Sequence, residues 1–229
     1  MTKIDVMARS LIAAASCLVM GSASAALATW TDWIRISSFA ASGNMGGISV
    51  SVATNGGTVM DGPSQTGCGG NFWIGTAYTN GNLSNAPIAC DQVGLNSPAS
   101  ITVTFGSAVN DLYMALLSVG QSGLAVTYDF NTAFSIDSEG QGFFGNDSTN
   151  GILGAGSLGG GSLTMREFHG VLRFAAPVTS LTFTTAPGEN WHAFTFGSSR
   201  VPEPGSLALV GAALLAAGAL SRRKHAAQV

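Results

Sequence analysis

Ser100-Ile101-Thr102-Val103-Thr104-Phe105 decides the fold class. Large apolar side chains alternate with small hydroxyl ones, and a period of two residues is the signature of a strand with one face toward a core. The same alternation recurs in Gly47-Ile48-Ser49-Val50-Ser51-Val52-Ala53, in Val126-Thr127-Tyr128-Asp129-Phe130 and in Leu181-Thr182-Phe183-Thr184. β-branched and aromatic residues fill the apolar positions, where they suit a pleated, half-buried surface. Further strands are expected at 32–38, 72–78, 112–118, 168–174 and 191–196. Asn55-Gly56-Gly57, Asn80-Gly81 and Ala186-Pro187-Gly188 supply turn chemistry between them. Residues 56–70 and 138–161 read as irregular, glycine-rich segments. Between residues 30 and 200 no long amphipathic helix is legible. The expectation is an all-β, antiparallel β-sandwich of jelly-roll-like form.

Upstream of this domain, Lys3 and Arg9 precede an apolar stretch from Leu11 to Met20, and Gly21-Ser22-Ala23-Ser24-Ala25 follows. A basic start, an apolar middle and an Ala-x-Ala site make a secretory signal peptide over residues 1–25, cut between Ala25 and Ala26. Cleavage after Ala28 is the fallback. Cys17 lies inside the apolar stretch, so lipidation there would truncate it. The mature domain is therefore expected over residues 26–200, a length that suits one domain with a substantial core.

That domain has an unusual charge inventory. It holds four arginines (Arg35, Arg166, Arg173 and Arg200), no lysine and ten acids, a balance of −6 against −3 for the whole chain. An acidic surface repels phosphate backbones, so no nucleic-acid partner is expected. After signal removal two cysteines remain, Cys68 and Cys90. An even pair in an oxidising compartment reads as a disulfide. Closing a loop of about 22 residues would contribute on the order of 3 kcal/mol in the chain-entropy account.

The chemistry-bearing residues form no recognisable catalytic pattern. His169 and His192 are the domain's histidines, but no Gly-x-Ser-x-Gly elbow accompanies them. His192 reads as a structural histidine at the sheet rim. Glu167 lies two residues before His169, without the second close histidine that zinc motifs carry. Asp137, Glu139, Asn146 and Asp147 offer oxygen ligands of the kind calcium takes, but not at EF-hand spacing. A solvated acidic loop is the favoured reading, and no cofactor or catalytic residue is expected. Trp30, Trp33, Trp73, Trp191, Tyr78 and Tyr113 would stack on sugar faces if exposed; core placement is the ordinary fate of such residues.

The C-terminus reads Val201-Pro202-Glu203-Pro204-Gly205, then an apolar run from Leu207 to Leu220, then Arg222-Arg223-Lys224. Asp, Lys and Arg are absent from residues 206–221, which as a helix span about 24 Å. A basic stop stays on the cytoplasmic side and leaves the preceding domain on the far side. Residues 201–229 resemble the PEP-CTERM signal of surface and secreted proteins of Gram-negative bacteria. The resemblance rests on the order of its three parts. It implies a precursor anchored in the inner membrane by one transmembrane helix, with the motif at Val201, Pro202, Glu203 and Pro204. It also implies processing by an exosortase-like enzyme, then a cell-surface or extracellular location. Residues 112–120 and 189–195 are similar to stretches in ectodomains of some exosortase-dependent proteins.

The expected function is non-enzymatic: a structural or adhesive role in an exopolysaccharide or biofilm setting, with extracellular polysaccharide as the partner the resemblance implies. Two alternatives stay open, a carbohydrate-binding module and a secreted hydrolase.

Overall fold

The alternation at 100–105 is the visible part of an eleven-residue strand. The computed structural model describes residues 25–55, 70–145 and 151–200. In chain order its strands are β1 (Leu27–Trp30), β2 (Asp32–Ser37), β3 (Ala40–Met45), β4 (Ile48–Asn55), β5 (Val93–Leu95), β6 (Ala99–Val109) and β7 (Leu112–Val119). They continue with β8 (Val126–Phe130), β9 (Ser135–Glu139), β10 (Gly151–Ala155), β11 (Gly161–Met165), β12 (Phe168–Phe174), β13 (Val178–Ala186) and β14 (His192–Arg200). The described residues are all-β, with two antiparallel sheets. One has the order β10-β11-β8-β13-β6-β4-β3-β2; the other runs β1-β14-β7-β12-β9, with β5 also pairing β14. Among the described residues no helix is long and apolar enough to cross a membrane.

Register explains why the alternating sequences fold this way. In β6, Ile101, Val103 and Phe105 are buried while Ser100, Thr102 and Thr104 are exposed. Val103 lies opposite Val52 on β4 and Leu181 on β13, and Ile101 lies opposite Phe183. A one-residue slip would turn this whole apolar set to solvent. The facing sheet adds Met114, Leu116, Leu172, Phe194 and Phe196 to the same core cluster. Ring contacts cross between the sheets: Phe105 to Phe196 at 5.7 Å, Phe183 to Phe194 at 5.5 Å and Phe130 to Phe174 at 5.5 Å. The arrangement is sandwich-like.

β7 departs from alternation: all eight of its residues are buried. Leu112, Met114 and Leu116 enter the core between the sheets, whereas Tyr113, Ala115 and Leu117 join a second cluster with Trp30, Trp73, Ala77, Tyr78, Leu83 and Val171. Residues 72–86 supply most of the cover for this outer face. That corrects the expected strand at 72–78, which has no ladder and contains a 3-10 turn at Thr76–Tyr78. Trp73, Ala77 and Tyr78 are buried, and the left-handed backbone at Gly75, φ 97°, breaks the extended run between them.

Residues 138–161 are likewise more regular than expected. β9 reaches Glu139, β10 occupies Gly151–Ala155 and β11 begins at Gly161. Their sequences are glycine-rich or polar, and neighbouring ladders hold them: β12 pairs β9, and β8 pairs β11. β1, β3 and β5 also lack a legible alternation, being short or built of small residues.

The outer cluster yields a test. Trp73→Ala should cost about 3–5 kcal/mol, the range for a large aromatic removed from a core. Urea unfolding followed by circular dichroism measures it. A loss below about 1 kcal/mol would mean that the 72–86 cover is dispensable.

Candidate functional site

Both chain ends of the domain meet in one strand pair. Leu27, the first residue of β1, is the register partner of Arg200, the last residue of β14. The Ala26 N–H donates to the Asn82 carbonyl at 2.9 Å, and the Ser84 N–H donates to the Ala26 carbonyl at 2.9 Å. Asn85 grips Ala28 twice: its Oδ1 accepts from the Ala28 N–H at 2.8 Å, and its Nδ2 donates to the Ala28 carbonyl at 2.9 Å. Trp30 lies so close over Gly197 that any Cβ there would overlap the indole. Residues 200–224 match the family model of the PEP-CTERM protein-sorting motif. The chain carries a PEP-CTERM sorting signal. No curated protein and no solved structure matches the chain. The PEP-CTERM match begins at the residue whose partner is Leu27, one residue beyond Ala26. Val201, Pro202, Glu203, Pro204, the apolar run and Arg222, Arg223 and Lys224 lie outside the described residues, as does the signal peptide up to Ser24.

The opposite end of the same sheet carries a different chemistry. Register places His192 at the start of β14, Val119 at the end of β7, Phe168 at the start of β12 and Glu139 at the end of β9, all remote from Leu27 and Arg200. β14 alone is nine residues long, so the two ends are about 27 Å apart. Here His169 is buried on β12 with Nδ1 3.0 Å from the Tyr78 hydroxyl and Nε2 3.5 Å from Glu167 Oε1. The Ser118 hydroxyl donates to Glu167 Oε1 at 2.5 Å. Ser118 and Glu167 both hold positive φ, 53° and 43°, a conformation that costs non-glycine residues energy. Burial pushes the His169 imidazole down to about 4, so the ring is neutral near pH 7. A neutral ring takes the Tyr78 O–H on Nδ1 and turns Nε2–H toward Glu167, although Nε2 makes no hydrogen bond. The contacts run serine, carboxylate, histidine, tyrosine. A nucleophile–base pair needs the histidine next to the serine; here the carboxylate lies between them.

A tight turn closes over His169. Gly142 and Gly145 exchange backbone hydrogen bonds at 3.1 and 3.3 Å, and a Cβ on Gly142 would overlap the imidazole. The turn carries Phe143 and Phe144, which are 49% and 46% exposed. Both rings contact Phe72, at 5.0 and 5.6 Å between centroids, and Phe144 also contacts Trp191 at 6.1 Å. The sequence pointed to Trp191 but not to Phe72, Phe143 or Phe144. The doublet Phe143-Phe144 between glycines was the available signal. Trp30, Trp33, Trp73, Tyr78 and Tyr113 are buried.

His192 is fully buried at the first residue of β14, at the end of the sheet. Its Nδ1 lies 2.7 Å from Glu189 Oε1. Glu189 Oε1 also accepts the Gly120 N–H at 2.7 Å. Asp137 is bound within the fold, its carboxylate accepting the Asn82 N–H at 3.0 Å and the Asn82 side-chain amide at 2.5 Å. Asn80 donates to the Glu139 carbonyl at 2.8 Å. Asn146 and Asp147 lie outside the described residues, so the four oxygen ligands are not brought together within the described structure. Among the described residues no three His, Cys, Asp or Glu side chains form a metal-binding group. Cys90 is disulfide-bonded, and Cys68, its expected partner, lies outside the described residues.

Two buried groups titrate in opposite senses. The folded-state value of His169 is depressed, so its contribution is present above the ordinary histidine range and is lost as pH falls toward about 4. Stability should drop between about pH 6.5 and pH 4, by on the order of 3 kcal/mol from this group, and the drop should shrink in His169→Gln. Denaturant unfolding at each pH measures it; an unchanged profile in His169→Gln would refute the assignment. Asp91 behaves oppositely. Burial, followed by the charge of Asp32, raises its carboxyl to about 6 against the pull of the Ile88 N–H. Its ionised form therefore destabilises the fold above pH 6, and the penalty disappears as pH falls below the ordinary aspartate value. An asparagine keeps an oxygen for the Ile88 N–H, which donates at 3.2 Å. Asp91→Asn should raise the melting temperature at pH 7 and leave it unchanged near pH 3, by scanning calorimetry.

Proposed function

We propose that this chain is an exported protein whose domain is displayed at the cell surface or in the extracellular matrix after exosortase-like processing, where it serves a structural or adhesive role. The single observation that carries the reading is the PEP-CTERM match over residues 200–224. Such a signal implies export and a membrane-anchored precursor, and its processing enzyme is membrane-embedded. The order proposed is a signal peptide over residues 1–25, a jelly-roll-like sandwich over 26–200 and a sorting signal with one transmembrane helix over 201–229. The domain's own role is proposed to be non-enzymatic, because its serine, carboxylate and histidine meet in an order unsuited to nucleophilic catalysis.

The strand pair at the chain ends supports the processing scheme. Cleavage after Ala25 preserves all of β1, whereas cleavage after Ala28 would discard the two Asn85 bonds to Ala28 and the pairs Leu27–Arg200 and Ala28–Ser199. Ala25 is exposed and Ala28 is buried. A Cys68–Cys90 bond would tie the cover over β7 to the segment that leads into β5.

The test is fractionation and intact-mass measurement in the native host. Mature protein should begin at Ala26 and, alkylated without reduction, carry no modified cysteine. Glu203→Ala, or replacement of Pro202 and Pro204, should leave the fold intact and trap the chain in the inner membrane. Removing Arg222, Arg223 and Lys224 should instead weaken anchoring. Normal surface delivery of the Pro-Glu-Pro variants would make the segment an ordinary membrane anchor and end the sorting reading.

A further inference from the structure

We propose that the turn at residues 140–145 is a latch that acid opens: a proton taken up by His169 releases the turn from the imidazole and uncovers Phe72 and Trp191. The inference needs neither the sorting route nor the adhesive role.

Three elements close on one buried imidazole. The cover brings the Tyr78 hydroxyl to 3.0 Å from Nδ1. The turn between β11 and β12 brings Glu167 Oε1 to 3.5 Å from Nε2. The turn at 140–145 closes the third side. Gly142 lies so near the ring that a Cβ there would overlap it, and the Phe144 ring is nearly parallel to it at 6.5 Å. Among the described residues, Tyr78 and Glu167 are the titratable groups that face the imidazole. Gly142, Phe144 and Ser118 bring no charge, and Arg166, next to Glu167, is exposed. Glu139 is the register partner of Gly170, so it belongs to the opposite face of β12 from His169.

This arrangement suits a neutral ring, whose Nδ1 accepts the Tyr78 O–H. A protonated ring carries N–H on both nitrogens and has no lone pair left for that hydroxyl. Glu167 also accepts from Ser118, and a buried imidazolium without full compensation is costly. Water is the remaining source of relief, and the three elements resist its entry unequally. β12 is locked by ladders to β7 and β9, and the cover is anchored by Trp73 and Tyr78 in the outer cluster. The turn is held more lightly. Gly142 and Gly145 bond each other, the Gly140 N–H donates to the His169 carbonyl at 3.2 Å, and Phe143 and Phe144 are about half exposed. Local opening begins where buried contacts are fewest. The closed form holds the imidazole down at about 4, through burial. An opened turn returns it to the ordinary value of about 6.5. The closed turn is therefore favoured above the ordinary histidine range, and its advantage falls about a hundredfold as pH drops from 6.5 to 4.

The experiment is pepsin digestion of the full chain in non-ionic detergent micelles, at steps from pH 5.5 to pH 4. Mass spectrometry reads the rate of cutting between Phe143 and Phe144, divided by the rate for a free peptide of residues 139–145 at the same pH. Cutting tracks the open population when closing is fast. The relative rate should rise about tenfold over this range while circular dichroism stays that of the folded domain. His169→Gln should flatten the rise. Tyr78→Phe removes a hydrogen bond that favours the neutral ring, so the rise should move to higher pH. Glu167→Gln removes a carboxylate that favours the charged ring, so the rise should move to lower pH. Loosened packing alone would not shift the two variants in opposite directions, and they keep the test valid if His169→Gln fails to fold. The proposal is overturned if the parent's relative rate is flat with pH, or if folded His169→Gln keeps the acid rise. It is also overturned if Tyr78→Phe and Glu167→Gln do not shift the rise in opposite directions, or if circular dichroism is lost over the same range.

Discussion

A strand buried on both faces is the constraint on which the rest of this structure depends. β7 sends Met114 and Leu116 into the core between the sheets and Tyr113, Ala115 and Leu117 to the other side. A sheet with one dry and one wet face would leave that second apolar row in water. Burying Leu117 alone is worth about 1.5–3 kcal/mol. The chain meets the demand with residues 72–86, which cross the outer face and bury Trp73, Tyr78 and Leu83 against it. That cover has no ladder of its own. It is fastened by side chains: Tyr78 to His169, Asn82 to Asp137, and Asn85 to Ala28.

The fastening points are also what organise the two ends of the domain. Asn85 and its neighbours fix β1, which in turn pairs with the last residues before the sorting signal. At the far end, the Tyr78–His169 contact joins the cover to β12, and the turn bearing Phe143 and Phe144 closes over the same histidine. The cover thus joins the strand pair at Leu27 and Arg200 to the turn that carries Phe143 and Phe144. A neutral histidine serves this purpose well, because a buried imidazolium would need a full counter-charge.

Alternating strands were legible because their chemistry is local. In 100–105 and 126–130 each residue's side follows from its neighbours, and the burial of Ile101, Val103, Tyr128 and Phe130 follows from the period. β3, β9 and β11 were not legible in this way. Ala-Ala-Ser-Gly-Asn-Met and Ser-Ile-Asp-Ser-Glu have weak strand preference, and paired neighbours hold them extended. The expected strand at 72–78 failed for the converse reason. Its aromatic residues suit a strand, but positive φ at Gly75 and the face waiting over β7 turn them into a cover.

The sequence by itself determined the all-β class and the sorting signal. The first depends on a two-residue period and the second on the order of a short motif, an apolar run and a basic stop, and none of these needs a distant partner. Tertiary structure alone decided which aromatics are exposed. Trp73 and Trp191 have the same chemistry and both pack on the outer cluster, yet one is buried within it and the other lies half-open at its margin beside Phe144. It also decided that His169 meets Tyr78 and Glu167 while His192 meets Glu189, and that Leu27 lies against Arg200. Most of these contacts join residues far apart in the chain, and the Glu167 and Glu189 pairs depend on the local backbone path. Distance in sequence hides them until the sheets pair.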